Sequence, residues 1–370
     1  MKTKAAVLWE LGKDWEVTEL DLDPPKANEV LIRYVAAGLC HSDEHLRHGD
    51  IVPRFPIVGG HEGAGIIEEV GPGVTKVKPG DHVVCSFIPS CGHCRWCSTG
   101  QQNLCDLGAT ILEGCMPDGT FRFHQGGKDL GAMCMIGTFS QYATISETSV
   151  VKVDEDLPLE TAVLVGCGVP TGWGSAVYAA KTAPGDTIVI YGIGGIGINA
   201  VQGAVHAGAK NVVAVDPLPN KREKAEEFGA THTTASGEEA QSLIGDLTLG
   251  VGADKAIVTV DIVDEQVVQE AFNAVRKGGR VVVTGLADPT KLTIQLSGAV
   301  LTLFQKEVVG TLFGNSNPQY DIKKLLDLYR AGQVKLDELI TKRYTLDEVN
   351  QGYQDLLDGK NVRGVMVHSH

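Results

Sequence analysis

Four of the nine cysteines in the sequence follow a spacing that is typical of a metal site. Cys91, Cys94, Cys97 and Cys105 give the pattern C-x2-C-x2-C-x7-C, and four thiolates this close in sequence can surround one tetrahedral ion. The run also resembles ferredoxin-type iron–sulfur motifs, but no proline follows the fourth cysteine and its spacing is longer. We therefore expect a structural zinc site in a lobe that covers about residues 85–110.

The cysteines as a group argue against a disulfide framework. Their number is odd, and five of them fall between residues 85 and 105. The first ten residues also become acidic too early for a secretion signal. Metal ligation in the cytoplasm is therefore the better interpretation.

A second group of possible metal ligands is scattered along the chain. Residues 40–45 read Cys-His-Ser-Asp-Glu-His, residues 59–63 read Gly-Gly-His-Glu-Gly, and residues 166–168 read Gly-Cys-Gly. A buried cysteine is usually only a small apolar residue, and a histidine beside glycines can simply cap a turn. Each segment alone therefore leaves a ligand and a packing role open.

A glycine-rich loop at residues 192–197 matches the dinucleotide-binding pattern G-x-G-x-x-G. It follows a β-branched segment and opens a helical one, and Asp216 ends the next apolar strand, which is the context that the pattern requires. The helix N-terminus offers free N–H groups to a pyrophosphate. A carboxylate at Asp216 accepts hydrogen bonds from ribose hydroxyls and repels a 2′-phosphate, so NAD is favoured over NADP. The predicted cofactor-binding residues here are Gly192, Gly194, Gly195, Ile196, Gly197, Asp216 and Lys221, although Lys221 also fits a solvated surface position.

These motifs need two kinds of scaffold. Residues before about 165 read as short strands separated by turn signals. The following segments alternate between strands, predicted at 187–191, 211–215, 256–260 and 280–284, and helices, predicted at 197–207 and 266–275. This alternation predicts a parallel sheet with both faces covered. The tail, with helices at 322–331 and 346–357 and a strand at 363–367, should return to the N-terminal part, because a final strand needs a sheet to join.

The composition excludes several classes of function. The 370 residues carry a net charge of −14, from 46 acidic and 32 basic side chains. Such a surface repels nucleic acid and anionic lipid, and no apolar run reaches the ~18 residues that a membrane span needs. We expect a cytoplasmic enzyme or binding protein of two domains, with neither nucleic acid nor a membrane as a partner.

Taken together and in order, the motifs resemble those of the zinc-dependent medium-chain alcohol dehydrogenases. The matching elements are the Gly-His-Glu stretch at 60–62, the four-cysteine lobe, the Phe-Ser-Gln-Tyr segment at 139–142, the Gly-Cys-Gly at 166–168 and the glycine loop at 192–197. The resemblance implies an α/β plus β fold, in which a GroES-like catalytic domain is split around a Rossmann domain and the active site lies in the cleft between them. The expected boundaries are 1–168 with 312–370 for the catalytic domain and 169–311 for the NAD-binding domain.

The resemblance also implies roles for individual residues. It assigns a catalytic zinc to Cys40, His61 and Cys167, with Glu62 as an occasional alternative ligand and Asp43 as the carboxylate that orients His61. Further implied roles are a proton relay through Ser42 and His45, pyrophosphate contacts from His41 and Arg363, and a substrate pocket lined by Phe87, Met133 and Cys134. Ordinary core packing is the alternative interpretation of the last three residues.

The implied chemistry fits these residue types. A zinc ion with three protein ligands keeps a fourth position for an alcohol oxygen and lowers the pKa of the hydroxyl. The proton would leave through Ser42 and His45, and hydride would pass to the nicotinamide. Two zinc ions and one NAD(H) per chain are therefore expected.

The sequence looks most similar to one branch of this family, the actinobacterial nicotinoprotein alcohol dehydrogenases. The segment between Gly108 and Thr138 is longer than in compact bacterial members. In this branch NAD(H) stays bound and an external acceptor takes the electrons, with N,N-dimethylnitrosoaniline (NDMA) as the assay acceptor and mycofactocin as the associated redox partner. The resemblance thus implies a small alcohol or aldehyde substrate, such an acceptor, and a homo-oligomer.

Two other interpretations stay open. One is an ordinary NAD-exchanging alcohol dehydrogenase or a thiol-adduct formaldehyde dehydrogenase, although no basic pocket for a thiol cofactor is evident in the sequence. The other is a non-catalytic relative that binds NAD and zinc. The presence of both metal-ligand sets together with Ser42 and His45 argues against the second.

Overall fold

The computed structural model describes residues 1–287 and 293–370 of the chain. Its contacts divide the chain into two compact units. The first contains Met1–Cys167, Asn317–Gly332 and Leu336–His370, and the second contains Gly168–Ser316 and Gln333–Lys335.

Twenty strands lie within the described residues. In chain order they are β1 Lys2–Leu8, β2 Glu16–Leu22, β3 Glu29–Leu39, β4 Ile57–Val58, β5 Gly63–Val70, β6 His82–Cys85, β7 Phe123–Gln125, β8 Lys128–Ala132, β9 Tyr142–Ser146, β10 Val150–Lys152, β11 Thr187–Tyr191, β12 Asn211–Val215, β13 His232–Thr234, β14 Ala253–Val258, β15 Ile262–Val263, β16 Val275–Val283, β17 Leu286–Ala287, β18 Glu307–Gly310, β19 Ile340–Tyr344 and β20 Arg363–Val367.

The same described ranges contain eleven α-helices. They are α1 His41–His48, α2 Arg95–Ser98, α3 Leu159–Ala162, α4 Gly168–Gly174, α5 Gly197–His206, α6 Pro219–Glu227, α7 Gly237–Leu247, α8 Glu265–Ala274, α9 Gly298–Leu303, α10 Pro318–Arg330 and α11 Val349–Leu357.

The first unit is built from antiparallel strands around an apolar core. Strands β1, β2, β7, β8 and β4 close a barrel, and a second sheet runs in the order β10-β6-β5-β3-β20-β19, with β9 also paired to β3. The long strand β3 is central, because β5 covers one edge and β9 and β20 share the other. Apolar residues such as Leu8, Leu20 and Ile32 are fully buried in the core of this unit.

The second unit contains a parallel sheet of six strands in the order β13-β12-β11-β14-β16-β18. When only the strands of this sheet are numbered, in chain order, this is the order 3-2-1-4-5-6 of a dinucleotide-binding Rossmann sheet. Helices connect the strands, as parallel pairing requires. The carboxyl end of β11, the first strand, leads directly into the glycine loop.

Most element predictions for the second unit and the tail are confirmed. The strands at 187–191, 211–215 and 363–367 have the predicted bounds. The strand predicted at 256–260 lies earlier, at Ala253–Val258, and the strand predicted at 280–284 begins earlier, at Val275. The final strand β20 pairs with β3, so the tail does return to the N-terminal part.

The long segment between Gly108 and Thr138 has more structure than the sequence suggested. It contributes β7 and β8 to the barrel. A buried ion pair anchors it, because Nε of Arg122 donates to Glu29 Oε2 at 2.8 Å. Both side chains are almost fully buried, so removing either partner would leave an unpaired buried charge.

No single described helix is both long and apolar enough to cross a membrane. The two helical segments Leu159–Gly166 and Gly168–Ala179 pass the test of length and composition only when they are taken together, and a bend of 52° separates them.

His368 near the C-terminus should make the stability of the protein depend on pH. Its Nε2 lies 3.0 Å from the carbonyl oxygen of Thr138, and burial lowers the pKa of His368 to about 4. An unfolded histidine has a pKa of about 6.5. Between these values the unfolded chain binds a proton that the folded chain does not, so stability falls as the pH falls through this window.

We therefore expect His368→Gln, which keeps a donor but cannot titrate, to reduce the loss of unfolding free energy between pH 7.5 and 5.5 by about 1 kcal/mol. Chemical denaturation at both pH values measures this difference. His232→Gln, at a partly exposed histidine of the second unit, serves as the control and should leave the loss unchanged. An unchanged loss in His368→Gln would contradict the prediction.

Candidate active site

Three strands of the first unit converge near the carboxyl end of β3. Cys40 follows β3 directly and precedes α1, while His61 and Glu62 precede β5, whose first residue Gly63 pairs with Ala37. On the other side, β20 begins at Arg363 and pairs with the same end of β3. Sheet order therefore brings together residues that are far apart in the sequence.

The convergence forms a cluster of four potential metal ligands. One ligand atom from each of Cys40, His61, Glu62 and Cys167 lies within 4.8 Å of the other three, and all four residues are buried. Cys167 reaches the cluster from a short helical turn, where a Cβ on Gly166 would lie 2.7 Å from the carbonyl oxygen of Cys85. These are the residues that the sequence resemblance assigned to a catalytic zinc.

The donors of this cluster suit a divalent cation. His61 Nε2 is buried and has no hydrogen-bond partner among the described residues, and neither does Glu62 Oε1. A buried nitrogen or carboxylate oxygen without a partner carries a large desolvation cost. Two sulfurs, one imidazole and one carboxylate are also a donor set that zinc accepts. The residues therefore fit a zinc ion.

Asp43 contacts both the loop before His61 and the His61 ring. Its Oδ1 accepts a hydrogen bond from the backbone N–H of Gly60 at 2.9 Å, and its Oδ2 lies 3.0 Å from His61 Nδ1. Gly60 has a φ of +85°, and a Cβ there would lie 2.4 Å from Thr138 Oγ1. Only glycine fits at position 60, where the loop brings His61 against the Asp43 carboxylate.

The ionisable groups of the cluster influence one another strongly. Contact with the Cys167 thiol holds the pKa of Cys40 well below its usual value, despite burial, while that contact and burial raise the pKa of Cys167. Burial by itself lowers the pKa of His61, but the charges of Asp43 and Cys40 outweigh it and raise this pKa. Of the two thiols in this cluster, Cys40 is therefore the one that more readily forms a thiolate.

Arg363 lies against this cluster. Its Nη2 donates to Glu62 Oε2, and both side chains are almost fully buried. The pair passes over Gly38 of β3, where a Cβ would lie 2.0 Å from that carboxylate oxygen. Sequence reasoning placed Arg363 at a pyrophosphate but did not foresee its pairing with Glu62. No local sequence signal could have revealed this ion pair, because Glu62 and Arg363 come together only when β5 and β20 both pair with β3.

The proposed relay residues lie on α1. Ser42 Oγ lies 3.7 Å from Cys40 Sγ, and His45 is buried with Nδ1 2.8 Å from Asp50 Oδ2. His41, at the start of the helix, is partly exposed. Asp50 was not singled out from the sequence. Its signal was the glycine at 49, which ends the helix and turns the chain back.

The predicted pocket residues lie beside the cluster or in the core. The ring of Phe87 meets the ring of His61 edge-on, with centroids 5.8 Å apart. Met133 and Cys134 belong to the apolar core, and burial raises the pKa of Cys134 to about 12. Core membership is consistent with the packing alternative for these two residues, and their pocket role stays a prediction.

The four cysteines of the lobe meet as the sequence spacing predicts. Their sulfurs lie within 4.8 Å of one another, and Cys91 Sγ and Cys97 Sγ are 3.9 Å apart. A tetrahedral ion with bonds of ~2.3 Å needs sulfurs about 3.8 Å apart. The backbone N–H of Cys97 donates to Cys94 Sγ at 3.5 Å, and this bond lowers the pKa of Cys94 to about 6.

The glycine loop of the second unit has the geometry of a phosphate-binding turn. Gly192 has a φ of +87°, a Cβ on Gly197 would lie 1.9 Å from the carbonyl oxygen of Gly192, and the Cβ position of Gly194 faces open space. Asp216 Oδ2 accepts the N–H of Ile193 at 2.8 Å, and Oδ1 accepts the N–H of Leu218 at 2.9 Å. The carboxylate is thus fixed at the end of β12.

The remaining cofactor candidates lie in this unit at the start of helices. Gly195 and Ile196 precede α5, and Gly195 O accepts a hydrogen bond from Asn199 at 2.8 Å. Lys221, on α6, is buried rather than a solvated surface lysine, and burial lowers its pKa despite Asp216 nearby.

Two family models match the chain. The model described as Alcohol dehydrogenase GroES-like domain covers residues 26–155, and Zinc-binding dehydrogenase covers residues 195–331. A relative named NDMA-dependent alcohol dehydrogenase, from Amycolatopsis methanolica, is 71% identical over 369 residues and covers 100% of both chains. Alcohol dehydrogenase B of Mycobacterium tuberculosis is 49% identical, with 100% of this chain and 99% of that protein covered.

The fold also has relatives among solved structures. A solved structure of an alcohol dehydrogenase zinc-binding domain protein from Burkholderia ambifaria covers 100% of both chains, with a TM-score of 0.94 and 31% identity. The sequence identities and both family models agree with the metal clusters and the Rossmann sheet described above. The chain belongs to the zinc-dependent medium-chain alcohol dehydrogenases, oxidoreductases that act on alcohols.

Proposed function

We propose that this protein is a zinc-dependent alcohol dehydrogenase that keeps NAD(H) bound and passes electrons to an external acceptor. The observation that carries the enzymatic part is the buried cluster of Cys40, His61, Glu62 and Cys167, with its ligand atoms within 4.8 Å of one another. A merely structural site would be closed by fixed ligands. Here Glu62 is shared with Arg363, so one ligand can be exchanged.

Two zinc ions per chain follow from the two clusters. Cys40, His61 and Cys167 would hold one ion with Glu62 as the alternative ligand, and the lobe of Cys91, Cys94, Cys97 and Cys105 would hold the other. A zinc ion at the first site supplies Lewis acidity, which lowers the pKa of a substrate hydroxyl. Phe87, against His61, would exclude water from that side.

The proton of the alcohol would leave through α1. Ser42 and His45 are three residues apart, so they share one face of the helix. Ser42 would take the proton from the hydroxyl and hand it on, by way of the cofactor ribose, to His45. Histidine, with an ordinary pKa of about 6.5, can accept this proton and release it to solvent at neutral pH.

The Rossmann unit would hold the cofactor. NAD accepts hydride at its nicotinamide when bound. The N–H groups at the start of α5 would bind the pyrophosphate, with His41 and Arg363 as further contacts. Asp216 and Lys221 would bind the adenosine ribose.

The subgroup rests on similarity. The relative at 71% identity is named for dependence on NDMA, an artificial electron acceptor. We infer that this protein also uses an external acceptor, with a mycofactocin-type redox partner, a small alcohol or aldehyde substrate, a cytoplasmic location and a homo-oligomeric state. An ordinary NAD-exchanging alcohol dehydrogenase is the second candidate, because such an enzyme would bind zinc and NAD through the same residues.

Metal analysis tests the two-site assignment. We expect two zinc ions per chain in the parent protein. Cys167→Ser should bind one zinc ion, keep its fold and lose turnover. Cys97→Ser should fold poorly, because a structural zinc site contributes folding free energy. Elemental analysis and circular dichroism give these readouts. Cys115→Ser, at a buried cysteine outside both clusters, is the matched control and should keep two ions. One zinc ion, or iron, in the parent protein would contradict the assignment.

Asp216 should set the cofactor preference. We expect NAD to bind more tightly than NADP by several kcal/mol, on the scale of an unpaired charged contact. Asp216→Asn, which removes the charge, should narrow this difference in affinity, measured by calorimetric titration of protein from which the bound nucleotide has first been removed. The exposed Asp246→Asn on α7 makes the same charge change and should leave the difference as it is. Equal affinities for both cofactors in the parent protein would overturn the role of Asp216.

Bound nucleotide distinguishes the two candidate enzymes. After gel filtration, we expect denatured protein to release NAD(H), identified by absorbance and mass, and the native protein to oxidise alcohol with a nitroso acceptor without added NAD. If NAD(H) stays bound, the two candidate enzymes differ in the rate at which the cofactor dissociates. Activity that requires millimolar NAD and accumulates free NADH would support the exchanging enzyme instead.

A further inference from the structure

A carboxylate outside the relay contacts its histidine. Asp50 Oδ2 lies 2.8 Å from Nδ1 of His45. The imidazole side chain is 6% exposed, and the carboxylate of Asp50 is 26% exposed. The pair therefore runs from the interior toward the surface, with the carboxylate at the outer end.

The end of α1 builds this contact. Gly49 adopts a φ of +93°, which favours glycine, and its N–H donates to the carbonyl oxygen of His45 at 3.0 Å. The N–H of Ile51 donates to the same oxygen at 3.2 Å. These bonds fold the chain back over the last turn, so a residue five positions later faces the ring of His45.

The other charges on the helix are engaged elsewhere. Glu44 Oε1 accepts from Nε of Arg47 at 2.9 Å and lies 3.2 Å from His48 Nε2, and Arg47 also binds Asp14. Asp43 Oδ2 lies 3.0 Å from Nδ1 of His61. The carboxylate that contacts Nδ1 of His45 is therefore supplied by the loop after the helix.

A carboxylate at Nδ1 has two effects on an imidazole. It favours the tautomer that carries the hydrogen on Nδ1, which leaves Nε2 as the proton acceptor. It also stabilises the imidazolium that forms once Nε2 is protonated, while the carboxylate itself stays ionised. Both effects make Nε2 of the ring a better proton acceptor, and neither requires a proton transfer to the carboxylate.

We propose that Asp50 is a positioning residue for alcohol oxidation, which holds His45 in the Nδ1–H tautomer so that Nε2 takes the proton arriving from Ser42. This inference rests on the proposed relay. The proton lost by the hydroxyl resides on Nε2 and is then released to solvent, so Asp50 neither gains nor loses one. No electrons pass through the pair.

The test uses the intact protein with its bound metal and nucleotide. Asp50→Ala should move His45 from the Nδ1–H toward the Nε2–H tautomer in two-dimensional ¹H–¹⁵N spectra, where His45→Gln identifies the resonance. It should lower kcat for alcohol with a nitroso acceptor by about 10- to 100-fold with KM and zinc content unchanged. Asp50→Glu should restore part of the rate. Asp14→Asn, a nearby exposed carboxylate, is the matched control and should change neither readout.

The double variant His45→Gln with Asp50→Ala separates positioning from a structural role. If Asp50 acts through His45, the double variant should be no slower than His45→Gln alone. An added loss in that background, or an unchanged tautomer in Asp50→Ala, would overturn the proposal. A parent protein that holds the Nδ1–H tautomer but oxidises no alcohol would instead refute the proposed function, and with it the catalytic part of this inference.

Discussion

The buried charges at the carboxyl end of β3 are the constraint on which the rest of the first unit depends. Cys40, Glu62 and Asp43 bring acidic groups together in a region with almost no solvent exposure. Buried anions are costly unless cations compensate for them. Arg363 compensates for Glu62, and the unpartnered atoms of His61 and Glu62 fit a divalent ion. The fold therefore keeps a site that is complete only with a metal ion.

The order of strands is what meets this constraint. Because β3 is flanked by β5 and β20, two segments separated by 300 residues of sequence reach the same point, and a glycine at position 38 leaves room for their ion pair. Helix α1, which starts immediately after Cys40, adds Asp43 and the proposed relay residues Ser42 and His45. A shift of β20 by one residue would turn Arg363 to the other face of the sheet.

The two metal clusters differ in how they depend on the fold. The lobe gathers Cys91, Cys94, Cys97 and Cys105 from one short segment, and local N–H bonds to sulfur prepare it. Such a site can order its own loop when metal binds. The second cluster takes ligands from three distant segments, so it requires the completed sheet.

The sequence by itself determined what is local. The four-cysteine spacing, the glycine loop between β11 and α5, Asp216 at the end of β12 and the parallel sheet could all be predicted, because short-range patterns encode turns, helix starts and strand periods. The resemblance added Cys40, His61 and Cys167 as a set. Only the tertiary structure decided that Arg363 pairs with Glu62, that Asp50 faces His45, and that residues 123–132 complete a barrel. Such contacts depend on strand order, register and the direction in which a chain leaves a helix, and these are fixed by packing over the whole unit rather than by neighbouring residues.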